Sequence, residues 1–176
     1  MKFKIKQNIL INYLNYAIRG VSNKNLIPIL NCIKLELTEE GLYLTSTDNE
    51  ISIKTFIPSK KIDSIDSLGE IVVYGKFIYD IIKKLPGEVI DIEQVIDSKL
   101  LIKTSSSSFT LNCNNVSEYP DLKFSEVESP IVLNNKVLKN MIVETIFATS
   151  TQESRPALTG LNIKIKGKML ECTATD

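Results

Sequence analysis

The chain has 176 residues, with 21 Lys plus Arg against 21 Asp plus Glu, 43% apolar and 24% charged. That is the make-up of a globular protein with material for a core, and it excludes a basic nucleic-acid tail, an acidic disordered tail and a collagen-like repeat. Histidine is absent, which removes His-based acid–base catalysis, Ser-His-Asp and Cys-His nucleophiles and every His metal site.

In chain order, residues 1–6 alternate charged and apolar residues as a strand does. Residues 8–19 carry the apolar pairs Ile9-Leu10, Tyr13-Leu14 and Ala17-Ile18, a single stripe on an α-helix, with Asn8 as its N-cap. Period-two strands follow at 33–37, 42–46 (after a tight turn at Glu39-Glu40-Gly41) and 51–57, and residues 60–69 read as a connector. A second strand and helix come next. Phe77-Ile78, Ile81-Ile82 and Leu85 stripe a helix over 75–85, which Pro86-Gly87 ends. Strands at 89–93, 100–104 and 109–113 complete this half, and the serines 105–108 form a turn. Residues 114–130 read as a linker by composition. A third helix over 135–148 has Val137-Leu138, Met141-Ile142 and Ile146 in its stripe and Asn134 or Asn135 as its cap. A strand at 161–165 and a turn at Gly167-Lys168 follow. The expected class is α+β, with each domain built from two strand–helix–strand–strand–strand halves, helices on one side and sheets on the other.

Cys32, Cys113 and Cys172 lie far apart with no CxxC pair, and are expected as buried free thiols of a reducing compartment. The N-terminus lacks a signal-peptide core, and no segment approaches the ~20 apolar residues of a membrane span. A soluble, cytoplasmic protein with no membrane contact, cofactor or metal is expected.

An internal repeat organises the chain. With residue i set beside i+128, Leu10 meets Leu138, Ile18 meets Ile146, Pro28 meets Pro156, Leu30 meets Leu158, Thr47 meets Thr175 and Asp48 meets Asp176. There are 10 identities in 48 ungapped pairs, in phase with the apolar pattern. The expected domains are therefore 1–128 (halves 1–66 and 67–114, then the linker) and the first part of a second, truncated one at 129–176. In that second part the helix stripe at 137–147 is expected to be uncovered and the segment poorly ordered, or held by another copy.

Charge is unevenly spread. The three helices hold six cations (Arg19, Lys76, Lys83, Lys84, Lys136, Lys139) against Asp80 and Glu144, and the rest of the chain is acidic by the same margin. A helical face that attracts a phosphate backbone and an acidic outside are expected. Asp48, Glu50 and Asp176 as hard-metal ligands, or serines 105–108 as nucleophiles, are weaker readings. The Ser run suits a turn, Asp48 and Asp176 are repeat equivalents suited to turns, and Gly167-Lys168 lacks P-loop spacing. No enzyme is expected.

The motifs Met1-Lys2-Phe3, Ile27-Pro28-Ile29-Leu30, Thr47-Asp48, Lys84-Leu85-Pro86, Glu118-Tyr119-Pro120-Asp121-Leu122, Ser154-Arg155-Pro156, Leu158-Thr159-Gly160 and Cys172-Thr173-Ala174-Thr175-Asp176 together resemble the bacterial sliding clamp, the β subunit of DNA polymerase III. The resemblance covers the whole chain. It implies a processivity factor in DNA replication: three similar domains per chain, and a head-to-tail homodimeric ring around duplex DNA with helices lining the hole. It also implies that short peptides of the polymerase and clamp loader dock on the ring. Carried onto this chain, it places DNA contacts at Lys24 and Gln152, to which the charge pattern adds Arg19, Lys83, Lys84, Lys136 and Lys139. Arg155, Leu158 and Thr175 match the peptide pocket, and Lys76, Phe77 and Lys84 the dimer contact. A chain ending at Asp176 is expected neither to close the ring nor to hold peptides well. The competing expectation is a repeat-built scaffold that binds only proteins.

Overall fold

A computed structural model describes residues 1–21, 27–96, 98–122, 124, 130–167 and 169–176. Strand β1 (Lys2–Lys6) runs without a loop into helix α1 (Gln7–Ala17), so Lys6 stands at the cap position and contributes no side-chain bond. Asn8 is therefore not the cap. The first of its free donors is met from elsewhere in the fold, as Gln7 N–H donates to the Glu88 carbonyl at 3.0 Å, and the Gln7 side chain also ties the helix down, with Nε2 donating to the Ile82 carbonyl at 2.8 Å. A 3-10 turn at Ile18–Gly20 ends the helix, and a second at Pro28–Asn31 leads into β2 (Cys32–Leu37).

Strands β3 (Gly41–Thr47) and β4 (Ser52–Pro58) extend β2 as an antiparallel meander. Gly41 sits at φ 149° in the turn closed by Thr38 N–H to Gly41 O at 2.9 Å, and a Cβ there would collide with the Ile57 carbonyl. The expected connector after β4 holds a strand of its own, β5 (Ser64–Ser67). Its residues Ser64, Ile65 and Ser67 pair with Lys4, Phe3 and Lys2, because β1 would otherwise leave a bare edge.

The second half repeats the plan with β6 (Gly69–Tyr74), α2 (Gly75–Lys84), β7 (Val89–Ile96), β8 (Lys99–Lys103) and β9 (Ser108–Asn114). Across the sheet the order is β4-β3-β2-β6-β9-β8-β7-β1-β5. The leading strand of each half thus lies in the other half. β1 pairs along its length with β7 (Phe3 opposite Ile92, Ile5 opposite Ile90), and β6 pairs with β2 (Ile71 opposite Leu35, Val73 opposite Ile33). The halves are consecutive in sequence but exchanged in space, so neither completes its own sheet.

One face of every paired strand feeds a single core. Phe3, Ile5, Ile33, Leu35, Leu42, Leu44, Ile71, Val73, Ile90, Ile92, Leu100 and Ile102 are fully or almost fully enclosed, together with Leu10, Leu14 and Ala17 of α1 and Ile78 and Ile82 of α2. Each fully buried side chain of this size contributes about 1.5–3 kcal/mol. The opposite face holds a smaller cluster of Cys32, Val72 and Tyr119, flanked by Ile29, Tyr74, Val116 and Leu122. The expected linker is therefore structural as far as Leu122. A 3-10 turn at Val116–Glu118, capped by Asn115, folds back over the sheet. It seats Tyr119 at 7% exposure, with its hydroxyl donating to the Thr45 carbonyl at 3.2 Å.

These elements form one compact unit, Met1–Lys123, and Phe124–Asp176 forms a second. The 128-residue offset recurs in the second unit. Helix α3 (Asn135–Thr145) and the 3-10 turns Ile146–Ala148 and Pro156–Thr159 fall 128 positions after α1, Ile18–Gly20 and Pro28–Asn31 at both ends of each element. Asn134 caps α3, accepting from Lys136 N–H at 2.9 Å. Strands β10 (Asn162–Lys166) and β11 (Met169–Thr173) form a hairpin, and the Thr145 hydroxyl lies 3.3 Å from Cys172 Sγ. None of the described residues of this unit is fully enclosed, and the helix stripe is open, with Val137 at 56% and Phe147 at 82% exposure.

Candidate nucleic-acid interface

Helix α1 carries no charged residue, and Asn8, Asn12 and Tyr16 on its outer side are exposed. Helix α2 lies beside it, joined by the Tyr79 hydroxyl donating to Asn15 Oδ1 at 2.9 Å. Lys83 lies in the last turn of α2 with its Nζ 5.5 Å from the Tyr79 ring centroid, and Lys84 beside it is exposed, an arrangement the helix dipole favours. Arg19, also exposed, sits in the 3-10 turn after α1. The first unit therefore brings Arg19, Lys83 and Lys84 onto one helix layer, over a core that fixes both helices.

The acidic excess outside the helices does not lie on the strands. The strands of this unit carry Lys2, Lys4, Lys6, Lys34, Lys54, Lys99 and Lys103 against Glu36, Asp66, Glu70, Asp91 and Glu93, while most of the acids lie in turns. Of these strand lysines, Lys2 and Lys34 are in ion pairs among the described residues. The ion pairs among the described residues are Lys2–Glu93 at 3.4 Å, Lys34–Glu70 at 2.6 Å and Lys166–Glu171 at 2.7 Å, every one on strands. None of the six helical cations is in an ion pair among the described residues.

Lys24 lies outside the described residues. Lys136 and Lys139 are exposed on α3, and Gln152 is exposed in the loop after it, its N–H donating to Ser150 Oγ at 3.1 Å. Leu158 is half-buried on the Pro156–Thr159 turn, where its N–H donates to the Arg155 carbonyl and its carbonyl accepts from Ser150 N–H, both at 2.9 Å. It is thus a turn residue, as its repeat partner Leu30 is. Arg155 and Thr175 are exposed on either side of the hairpin in sequence.

Lys76 and the 57%-exposed Phe77 occupy the first turn of α2, with the Phe77 ring 4.6 Å from Tyr74. Lys84 belongs to the other end of that helix, eight residues or about 12 Å away. β6 pairs with β9 only at Val72–Asn114 and Val73–Cys113, so residues 108–112 of β9, including the 38%-exposed Phe109, have no strand on that side among the described residues. Asp48 accepts from the N–H groups of Glu50 and Ile51, and Thr104 closes the serine turn through its bonds with Ser107. Both groups serve turns, as expected.

The three thiols are free, with Cys32 buried and Cys113 and Cys172 only half-buried. Asn114 Nδ2 donates to Cys32 Sγ at 3.1 Å, and burial raises the Cys32 thiol. Burial pushes Cys113 from its ordinary 9.0 up to about 11 and the Tyr119 hydroxyl from 10.0 up to about 12. Rising pH ionises these groups in the unfolded chain first, so their contribution to stability is intact below about pH 9 and falls as pH climbs from about 9 to 12. At about pH 8, Cys32 and Cys113 are expected to be alkylated far more slowly in the folded chain than in urea, because the thiolate is the nucleophile. Mass spectrometry of peptides from a timed iodoacetamide reaction checks this, and equal rates in both states would contradict it.

The repeat-built α+β domain with exchanged leading strands has the domain architecture of solved DNA polymerase sliding clamps. The family profile for the DNA polymerase III beta subunit, N-terminal domain, matches residues 1–123, and that for the central domain matches residues 132–176. The beta sliding clamp of Halalkalibacterium halodurans is 41% identical over the whole of this chain and 47% of its own length, and that of Bacillus subtilis is 38% identical over 48% of its own length. Among solved structures, the DNA polymerase sliding clamp of Bacillus subtilis superposes with a TM-score of 0.92 at 38% identity. The beta subunit from Streptococcus pyogenes does so at 0.91 and 37%, each over all of this chain and 47% of the other. The chain belongs to the bacterial DNA polymerase III beta subunit family, the beta sliding clamps. It spans about half the length of the curated relatives it matches.

Proposed function

We propose that the chain serves as the leading part of a processivity clamp, a non-catalytic ring that encloses duplex DNA and tethers a polymerase to it. The observation that carries this is the helix layer, whose cations are in no ion pair among the described residues, while the lysines that are paired lie on strands. Such a layer meets phosphates weakly and without reading bases, which suits sliding. Arg19, Lys83 and Lys84 supply the contacts in the first unit and Lys136, Lys139 and Gln152 those in the second, with Lys24 a further contact on the family pattern. Supporting a head-to-tail dimer, Lys76 and Phe77 are exposed on α2, and β9 offers an open edge to which a partner strand can add. Lys84, at the far end of α2, fits the DNA face better than the dimer contact. Arg155, Leu158 and Thr175 form one wall of a site for polymerase and clamp-loader peptides.

A chimera tests the ring. This chain replaces the matching residues of the Bacillus subtilis clamp, and the dimeric product is loaded on nicked circular DNA. It is expected to stay on the circle and to slide off once the DNA is linearised. Loss from the circle at the same rate as from linear DNA would favour the scaffold reading.

A further inference from the structure

Beside the layer's known cations, a surface cleft is lined by Asn12, Tyr13, Asn15, Tyr16, Arg19 and Lys61. Lys61 comes from the 3-10 turn Ser59–Lys61 after β4, a segment whose sequence reads as a connector. Its Nζ donates to the Tyr13 hydroxyl at 3.0 Å and lies 5.4 Å from that ring's centroid. Two consequences follow from this contact. The ammonium is positioned by the Tyr13 hydroxyl and ring, so part of its ordering cost is met before binding. The Tyr13 oxygen is occupied as an acceptor, which leaves its proton to be donated outward.

Among the described residues, no carboxylate lines the cleft. Asn12, Tyr16 and Arg19 follow one another along α1 and its terminal turn over about 10 Å, a length along which a nucleic-acid strand presents several phosphates. We propose that Lys61, Tyr13 and Arg19 form a phosphodiester-binding subsite at the flank of the helix layer, with Asn12 and Tyr16 as neutral hydrogen-bonding neighbours; this rests on the helix layer being the DNA face. Lys61 is the anchor of the subsite and Tyr13 its positioning residue. A single acidic side chain would use only one of these donors, whereas a run of phosphates uses the row.

The 176-residue chain is titrated with a mixed-sequence duplex by fluorescence anisotropy between about 50 and 200 mM salt. Lys61→Ala is expected to lower the slope of log K against log salt by about 0.9, the value of one phosphate contact. Tyr13→Phe, which keeps the ring but frees the ammonium, is expected to weaken binding less, and Lys103→Ala on the sheet face to leave the slope unchanged. An unchanged slope for Lys61→Ala with duplex binding intact overturns the subsite and leaves the helix layer standing. Absence of salt-dependent binding by the parent chain overturns both. Competition by polyglutamate as effective as by duplex, at equal charge, overturns the assignment to phosphate.

Discussion

Phe3→Ala is expected to remove about 3–5 kcal/mol of the first unit's stability and to melt both of its halves in one transition. Phe3 is fully enclosed, and its strand lies between β7, where it faces Ile92, and β5, where it faces Ile65. The cavity therefore opens in the sheet of the second half, although the residue belongs to the first. If the halves were independent, the loss would stay with the elements that follow Phe3 in sequence. Because β1 and β6 are exchanged, α1 and α2 lose their common floor together. Urea unfolding followed by far-UV circular dichroism and by tyrosine fluorescence checks this. Coincident curves shifted to lower urea are expected, while Lys4→Ala on the solvent side of the same strand stays within about 0.5 kcal/mol of the parent. Two separated transitions, or a loss under about 1 kcal/mol, would contradict it.

Local periodicity carried the elements well, because each obeys its own face: Leu10 and Leu14 in α1, Ile33, Leu35 and Leu37 in β2, Leu100 and Ile102 in β8. The 128-residue repeat even places α3 and its flanking turns to the residue. What escaped was whatever depends on a distant partner. Asn8 has the chemistry of a cap, but the Glu88 carbonyl meets the Gln7 N–H and starts the helix earlier. β5 has only four residues and little apolar character, and it exists because β1 needs a neighbour. Tyr119 sits in an acidic, Pro-containing stretch that reads as linker, yet it buries against Cys32 and Val72 from a sheet face that periodicity assigns to solvent. The candidate site divides the same way. Arg19, Lys83 and Lys84 were visible as charges on predicted helices, whereas Lys61 joins them only through its bond to Tyr13, 48 residues earlier. The acidic excess outside the helices gathers in turns and not on strands, because net charge does not say which element a residue occupies or whether it is paired.

The larger functional effect is expected from reversing charge on the helix layer. On the proposed DNA face, Arg19→Glu with Lys83→Glu would remove two phosphate contacts and replace them with repulsion at short range, where screening at about 0.1 M salt is incomplete. Duplex affinity is expected to fall on the order of 10-fold or more at low salt, with the salt slope reduced by about two contacts. Both residues are exposed, so folding is expected to be little affected. Lys4→Glu with Lys103→Glu makes the same change in net charge on the opposite side of the sheet, next to Asp91 in the strand order.

The most direct measurement is thus the duplex affinity and salt slope of these two double variants beside the parent chain, under identical conditions. Loss of affinity confined to Arg19→Glu with Lys83→Glu, with the sheet-face pair within about twofold of the parent, is the predicted result. Equal losses from the two pairs would mean that only net charge matters, and would contradict a DNA-facing helix layer.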